Sequence, residues 1–301
     1  MAWFAGVCRL LLKRAAALAA LAFALAGAPA VAQPAFWVVR DADSTIYLLG
    51  TIHLLKPDLE WRTEQLDAAI NASSEVWLEL PTTNAAAMQS EMMVLVSRYG
   101  LAPAERLSRK LTKDELKTLD EAARLAGLSA GQLELFRPWF AALTISTAAM
   151  SRAGYDPASG VDSKIEAIFR ERNITPSGFE TAEQQIKVFA GMTPEQELRY
   201  LRETMEEYND ASTELDKMVQ QWSTGDLAGM EDMFVTEMKT EEPDLYEALL
   251  VNRNAHWVPQ IENMLRGSGT TFIAVGAAHL IGPDSVLAML AAHGIVAERV
   301  Q

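Results

Sequence analysis

The chain has 301 residues, a formal net charge of −14 and 50% hydrophobic residues. This composition is typical of a globular protein with a substantial core, and the excess of carboxylates disfavours nucleic acid and anionic lipid surfaces as partners. The single cysteine, Cys8, lies in a segment that we expect to be removed on export. The mature protein would then have no disulfide, no cysteine metal ligand and no cysteine nucleophile.

The N-terminal segment has the features of a signal peptide. Basic residues precede an apolar run at residues 15–28, and the small residues Ala30 and Ala32 follow it. The alternative is an uncleaved anchor, but this run is shorter than the about 20 apolar residues that a spanning helix needs. We therefore expect a signal peptide at 1–32 and an exported protein, periplasmic or secreted, that starts at Gln33 and has no stable membrane anchor.

Strand-forming runs lie near both ends of the chain, with helical patterns between them. The runs 36–40 and 45–49 flank a turn cluster and predict a hairpin. Further strands are predicted at 75–80, 174–179, 271–275 and 295–300. Apolar residues at three- and four-residue spacing predict amphipathic helices at 64–72, 85–99, 113–126, 138–152, 162–172, 194–222, 245–265 and 285–293.

Two turns of the form Gly-x-x-His stand out, from Gly50 to His53 and from Gly276 to His279. Each follows an apolar strand, where a glycine lets the backbone turn sharply. The histidine three residues later then lies over the strand ends, where open α/β sheets place their ligand sites. Either histidine alone could simply fill a core or cap a helix. The pair predicts a functional site between two similar β/α halves.

Acidic and basic partners are expected at the same edge of the sheet. Glu79 and Glu180 follow predicted strands, where a carboxylate is costly to desolvate unless it is paired or bound, although most glutamates are simply solvated. Asp162 either caps a helix or belongs to the site. Arg253 could clamp a substrate carboxylate or stabilise an oxyanion, and Asn254 lies beside it. The ordinary alternative for this pair is a solvated helix face.

Together these residues resemble the TraB/GumN family, which includes the Tiki proteases, and in particular its bacterial exported GumN-like members. The resemblance covers nearly all of the chain after the signal peptide. It is carried by GTIH at 50–53, the strand with Glu79, GVDSKIE from Gly160, GFETAEQQ at 178–185, NRNAHW at 252–257, and the C-terminal segment from Ala274.

The resemblance implies a metal-dependent hydrolase, most simply a peptidase that acts on a peptide or protein substrate. His53, Glu79 and His279 would bind a divalent metal, with Glu180 as a further ligand or base. Arg253 and Asn254 would complete the catalytic pocket, and Asp162 and Gln184 are further candidates. Two histidines with one or two carboxylates suit Mn²⁺, Co²⁺ or Zn²⁺, and such an ion would activate a bound water.

The expected fold is α/β, with two similar β/α halves that share a central mixed sheet and a large helical middle region. We expect a single domain over 33–301, with helical insertions at about 84–155 and 190–265. Two other functions stay open. One is a metal-independent esterase, in which a His/Glu pair activates water, as in the distantly related erythromycin esterases. The other is a non-catalytic accessory protein of the cell envelope that binds metal, haem or polysaccharide.

Overall fold

A computed structural model of the protein describes residues 32–81, 85–208 and 211–301. The predicted signal peptide at 1–32 lies outside these residues except for Ala32. Residues 32–301 form one compact unit. Within the described ranges, none of the helices has the length and apolar character that crossing a membrane requires.

A mixed six-stranded sheet forms the centre of the fold, which confirms the predicted α/β class. Its strands are β1 (Phe36–Arg40), β2 (Ser44–Thr51), β3 (Glu75–Leu78), β4 (Ser177–Gly178), β5 (Gly269–Gly276) and β6 (Glu298–Arg299). The order across the sheet is β4-β3-β5-β2-β1-β6. Strands β4, β3, β5 and β2 run parallel to one another, whereas β1 is antiparallel to both β2 and β6. The predicted strands at 174–179 and 295–300 shrink to the two-residue edge strands β4 and β6.

The carboxyl ends of the four parallel strands meet at one edge of the sheet. In the β2–β5 register Gly50 lies opposite Val275 and Thr51 lies opposite Gly276, so the two glycine turns leave the sheet side by side. Strand β3 ends at Leu78, beside both β5 and β4. The segments that follow β2, β3, β4 and β5 therefore converge in the place where a parallel sheet offers a ligand site.

Helices cover both faces of the sheet and form the middle of the chain. They are α1 (Glu64–Ala72), α2 (Ala85–Leu95), α3 (Lys113–Leu125), α4 (Ala130–Leu133), α5 (Pro138–Arg152), α6 (Val161–Glu171), α7 (Ala182–Ala190), α8 (Pro194–Glu207), α9 (Ala211–Thr224), α10 (Leu227–Glu231), α11 (Glu237–Glu241), α12 (Pro243–Tyr246), α13 (Asn252–Leu265) and α14 (Val286–Ala292). Short 3-10 helices lie at Leu107–Arg109, Pro157–Ser159 and Ala277–Leu280, and π-helical turns at Val96–Gly100, Asp232–Thr236 and Glu247–Val251.

One long predicted helix contains an irregularity in the structure. The helix predicted at 245–265 contains a π-helical turn at Glu247–Val251, a feature that adds a residue to the turn and is frequent at functional sites. Apolar periodicity alone does not reveal this turn. The helix predicted at 194–222 falls partly outside the described residues, and the structure describes α8 up to Glu207 and α9 from Ala211 within its range.

The sheet separates two hydrophobic cores because successive side chains of a strand point to opposite faces. On β5, Phe272 and Ala274 pack in the core that includes residues of α1 and α6, whereas Ile273 and Val275 pack in the core that includes residues of α13 and α14. Helices α3, α4, α5 and α8 have a further core of their own. The strands that carry the converging turns are thus fixed from both faces.

Candidate functional site

The two Gly-x-x-His turns bring their histidines to the same carboxylate. Nε2 of His53 lies 3.8 Å from Oε1 of Glu79, and Nε2 of His279 lies 3.7 Å from the same oxygen. Gly276 lies between them, since a Cβ atom there would be 3.0 Å from Glu79 Oε1 and 3.3 Å from His53 Nε2. The second turn therefore needs glycine to leave space for the side chains of the site.

Glu79 is buried and is held at both of its oxygens. Oε1 accepts a hydrogen bond from Gly276 N at 2.6 Å, and Oε2 accepts one from Arg253 Nη2 at 2.5 Å. Burial alone would raise the pKa of Glu79, but His279, His53, Arg253 and the Gly276 N–H together lower it to about 2. Glu79 is therefore a carboxylate at neutral pH.

Arg253 uses all five of its N–H groups within the protein. Nε and Nη2 donate to Glu180 at 2.7 and 2.9 Å, and Nη2 also donates to Glu79. Nη1 donates to the carbonyl of Leu249, in the π-helical turn, and to Nε2 of His279, each at 3.1 Å. The predicted role of Arg253 as an oxyanion donor or carboxylate clamp would thus require one of these bonds to break. As arranged, it positions the residues around it.

The hydrogen bonds of His279 determine where its proton lies. Because arginine only donates, Nε2 of His279 accepts from Arg253, and the proton is on Nδ1. Nδ1 then donates to Oδ1 of Asn254 at 2.6 Å, and Nδ2 of Asn254 donates to the carbonyl of Asp284 at 2.8 Å. Burial lowers the pKa of His279 to about 3, so the imidazole is neutral, and it packs 4.3 Å from the ring of Trp257.

His53 differs from His279 in both its exposure and its charged partner. Its side chain is 60% exposed, and its Nδ1 lies 2.8 Å from Oδ2 of Asp162. Oδ1 of Asp162 accepts a hydrogen bond from the Thr51 hydroxyl at 2.6 Å. The charge of Asp162 is the main cause that raises the pKa of His53 to about 9, while burial opposes it. His53 and Asp162 therefore form a dyad whose free nitrogen, Nε2, is directed to the same opening as Glu79.

Asp162 belongs to the site and does not cap its helix. Helix α6 is capped by Gly160, with Asp162 in its first turn. A Cβ on Gly160 would lie 2.1 Å from the His53 carbonyl, and the Val161 amide donates to the carbonyl of Ile52 at 3.0 Å. Glycine thus lets the start of α6 approach the first Gly-x-x-His turn closely enough for the dyad to form.

Several residues that the sequence placed in or near the site lie elsewhere in the structure. Gln184 does not reach the centre: its side chain accepts from the Thr181 amide at 2.8 Å in a capping box at the start of α7. Glu180 lies behind Arg253, where Trp257 Nε1 also donates to it at 3.0 Å. His256 is an exposed residue of α13 that contacts the Asn252 carbonyl of its own helix. The capping pattern Thr-x-x-Gln was the signal that could have placed Gln184 correctly.

Thr51, Gly160, Leu249 and Trp257 also contribute to the site, although the sequence pattern does not point to them. Thr51 lies inside the first Gly-x-x-His turn, where its hydroxyl is a local signal for a partner of Asp162. Leu249 contacts Arg253 through its backbone carbonyl four residues away, which any residue could supply. Gly160 and Trp257 act through tertiary contacts, which the sequence pattern does not specify.

Two cavities flank His53. The first, which we name the polar cleft, has a volume of about 430 Å³ and includes His53, Glu79, Asp162, Gln185 and Arg253 among its lining residues. The second, which we name the apolar pocket, has a volume of about 250 Å³ and includes His53, Gly276 and His279. His53 lines both cavities, so a molecule bound in either one can contact its ring.

The arrangement does not fit the predicted divalent metal as it stands. In the described part of the chain, no group of three His, Cys, Asp or Glu side chains could hold a metal ion. Both oxygens of Glu79 are held by other donors, and the lone pair of His279 Nε2 accepts from Arg253. A dication bound to these atoms would lie against the guanidinium of Arg253, and like charges repel strongly in a buried site. Metal dependence therefore stays a prediction.

The fold and the site define an α/β protein in which two Gly-x-x-His turns meet beside a buried glutamate–arginine pair. The chain matches the model of the TraB/PrgY/gumN family over residues 35–299 and belongs to that family, which confirms the family predicted from the motifs. It is 21% identical over 278 residues to a protein of Treponema pallidum (strain Nichols) described as an uncharacterized protein, with 83% of this chain and 78% of that protein covered. No solved structure matches the chain significantly.

Proposed function

We propose that the protein is a hydrolase of acyl bonds, with a peptide or protein as its substrate, in which His53 activates the attacking water. The observation that carries this proposal is the dyad of His53 and Asp162 at the polar cleft. With Nδ1 held by the carboxylate, the unprotonated ring presents the lone pair of Nε2 to the cleft. This is the relation between the imidazole and the carboxylate in hydrolases that use a Ser-His-Asp triad.

The reaction follows from these positions. Nε2 of His53 takes a proton from a water molecule as the water oxygen attacks the substrate carbonyl. Asp162 stabilises the imidazolium that forms, and Glu79 Oε1, 3.8 Å from Nε2, adds a second negative charge. When the tetrahedral intermediate collapses, the imidazolium returns its proton to the leaving amine or alkoxide. The ring is then neutral again, and water has been added across the acyl bond.

The buried residues have a positioning role in this proposal. Arg253 fixes Glu79, Glu180 and His279 together, and Asn254 fixes the other nitrogen of the His279 ring. His279 is neutral and its lone pair is engaged, so it is a poor base as arranged. A centre supported by packed and hydrogen-bonded residues can keep His53 within the narrow geometry that catalysis needs.

A hydrolysis assay tests the proposal. The purified protein is incubated with a random peptide library and with simple esters, in EDTA and with added Mn²⁺, Co²⁺ or Zn²⁺. His53→Gln should lower the rate by about 10²–10⁴-fold, as expected for loss of a general base. His256→Gln is the matched control, because that exposed histidine lines neither cavity and bonds to a carbonyl of its own helix, and its rate should be unchanged.

Each result of the assay has a distinct meaning. Hydrolysis that is insensitive to EDTA and lost in His53→Gln supports water activation by the dyad. Hydrolysis that appears only with added metal would mean that His53 is a ligand, as the family resemblance implies. If no substrate is cleaved while the protein binds metal, haem or polysaccharide, the proposal is wrong and the accessory function takes its place.

Export is part of the proposal and has its own test. The basic residues, the apolar run and the small residues before Gln33 support a cleaved signal peptide. We expect protein from the envelope fraction or the medium to begin at Gln33, as measured by intact mass. A full-length chain that is retained in the cytoplasm would contradict export.

A further inference from the structure

The inner wall of the apolar pocket is formed by the two Gly-x-x-His turns that follow β2 and β5. Gly276, Ala277, Ala278 and His279 line it from the second turn, and His53 lines it from the first. The glycine at 276 leaves the His53 and His279 rings without an intervening side chain. A group bound in this pocket therefore lies directly against the proposed base.

The outer wall is apolar and comes from the segment after His53 and from the helical part of the chain. It is formed by Leu54, Met150, Leu215, Met218 and Phe234. Of the described side chains that line the pocket, only those of His53 and His279 are ionisable, and none is a carboxylate. A cationic group in this pocket would lose its hydration without gaining an acidic partner, whereas an apolar group would gain burial.

The volume restricts what can enter. Clefts that take a whole drug-sized ligand measure about 300–1,000 Å³. The apolar pocket, at about 250 Å³, falls below that range and suits one large side chain. The two methionines in its wall are flexible and polarisable, so they adapt to both aliphatic and aromatic groups.

A set of polar contacts lies next in sequence to two residues of the pocket wall. Oδ1 of Asp216 accepts from Lys56 Nζ and from the Tyr155 hydroxyl, each at 2.5 Å. Asp216 follows Leu215 in α9, and Lys56 lies two residues after Leu54. These contacts join the segment after His53 to α9, so two of the elements that line the pocket are held together.

We propose that the apolar pocket binds a large apolar side chain of the substrate next to the bond that is cleaved. The rest of the substrate lies across His53 in the polar cleft. The protein then selects peptides with residues such as Leu, Met or Phe beside the cleavage point and rejects Lys and Arg there. This inference rests on the proposed hydrolase function for its role, although the pocket itself can be tested without turnover.

The binding test uses the methionines of the wall as reporters. The protein is labelled with ¹³C at the methionine methyl groups and titrated with N-acetyl-leucinamide, with N-acetyl-glycinamide as the matched control ligand. The methyl resonances of Met150 and Met218 should shift with the leucine compound and stay in place with the glycine compound. Met205, on α8, and Met264, on α13, line neither cavity, and their resonances should not shift with either compound. If Met150 and Met218 do not respond to the leucine compound, the inference is wrong, whether or not the protein is a hydrolase.

The selectivity test uses the cleavage products of the peptide library. Substitution Met218→Glu places a carboxylate in the wall, and Met92→Glu is the matched control at another half-buried methionine. One methylene in an apolar pocket changes selectivity by about 10–200-fold, so Met218→Glu should lower cleavage beside Leu, Met and Phe by at least about tenfold relative to Ala. Met92→Glu should leave the selectivity as it is.

The two tests separate the inference from the function on which it rests. Cleavage without preference for apolar residues would leave the hydrolase standing and overturn the pocket assignment. Methyl shifts at Met150 and Met218 without any cleavage would support the pocket as a binding site and remove the hydrolase.

Discussion

The two histidines come from equivalent turns, yet their partners give them opposite properties. His53 faces the carboxylate of Asp162 and is exposed, so its protonated form is stabilised. His279 is buried against the cation of Arg253, so its neutral form is stabilised. At neutral pH the site therefore contains one imidazolium at its surface and one neutral imidazole beneath it. The protonation of each histidine is decided by the residues that the neighbouring helices contribute.

The charge of Asp162 should be visible in the titration of His53. We expect a pKa of about 9 for His53 in the wild type and a value closer to 6.5 in Asp162→Asn, because the amide no longer stabilises the imidazolium. The His279 resonance should stay that of a neutral ring down to about pH 3. NMR of the imidazole Cε1–H groups measures both.

The same substitution should change the pH dependence of hydrolysis. Water activation needs the unprotonated ring, so the wild-type rate should rise with pH up to about 9. In Asp162→Asn the plateau should begin at lower pH and at a lower rate, because the ring also loses its fixed orientation. An unchanged profile in this variant would rule out the dyad as the source of the base.

Arg253 should be central to stability because it is the cation shared by two largely buried carboxylates. Arg253→Met leaves Glu79 and Glu180 without that cation, and removal of one partner of a buried pair costs about 3–5 kcal/mol. Urea unfolding at pH 7 measures the loss.

The matched control is Arg62→Met, which removes an exposed pair with Asp67. Exposed pairs contribute about 0–1 kcal/mol, so this variant should unfold close to the wild type. Equal midpoints for the two variants would show that Arg253 does not hold the centre together.

At the scale of elements, the site depends on how α6 and α13 approach the sheet. The parallel β2–β5 pair brings the two turns together, and β3 and β4 bring Glu79 and Glu180 to the same edge. Helix α13 then supplies Arg253 and Asn254 from one side, and the start of α6 supplies Asp162 from the other. The strands determine where the site lies, and the helices supply the residues that set the protonation of His53 and His279.

Gly160 allows one of these approaches. In Gly160→Ala the new Cβ would lie 2.1 Å from the His53 carbonyl, so the start of α6 must move away. Overpacking of this kind costs about 1–3 kcal/mol. The pKa of His53 should fall as well, since Asp162 moves with the helix. Urea unfolding and the imidazole NMR titration measure the two effects.

Gly131→Ala is the control for that substitution. In α4 the new Cβ would meet only the Ser129 hydroxyl at 3.9 Å, and alanine favours a helix more than glycine does. This variant should be as stable as the wild type or slightly more stable. A Gly160→Ala protein that unfolds at the same urea concentration, with an unchanged His53 pKa, would contradict the close approach of α6.

Much of the edge of the sheet could be predicted from the sequence, and the reasons are local. A glycine after an apolar strand predicts a turn, and a glutamate at a strand end predicts a partner, so the sequence places His53, Glu79 and His279 at one edge of the sheet. The partner of His53 could not be chosen in this way, because Asp162 fits a helix start equally well. Arg253 can use all its donors only because α13 packs close to the strand ends. Met218 lines the apolar pocket only because α9 packs beside the first turn. Apolar periodicity determines neither of these packing arrangements.

At the scale of the whole molecule, the stability of the folded protein depends on pH. The titratable groups of the site add to the dependence that an acidic chain already has. The folded pKa of His279, about 3, is below its ordinary value of 6.5, and that of Glu79, about 2, is below 4.5. Both groups bind protons less readily in the folded protein than in the unfolded chain. Each group therefore stabilises the fold at a pH above its ordinary pKa. The contribution of His279 is lost as the pH falls from 6.5 through 3, and that of Glu79 as the pH falls from 4.5 through 2.

His53 acts in the opposite direction. Its folded pKa of about 9 is above 6.5, so its contribution is present below pH 6.5 and is lost as the pH rises through 9. Its exposure to solvent makes this contribution the smaller one. We expect the urea midpoint to fall steeply from pH 6 to pH 3 and gently from pH 7 to pH 9.5. The gentle alkaline fall should shrink in His53→Gln, and an alkaline fall of the same size in that variant would assign it to other groups.

In the proposed hydrolase, the contact of His53 with two cavities affects how products leave. Both cavities open to solvent, and His53 lines both of them. If the substrate lies across the ring, its two fragments lie in different cavities after cleavage. Each fragment can then depart through its own opening, so the release of one does not have to wait for the other.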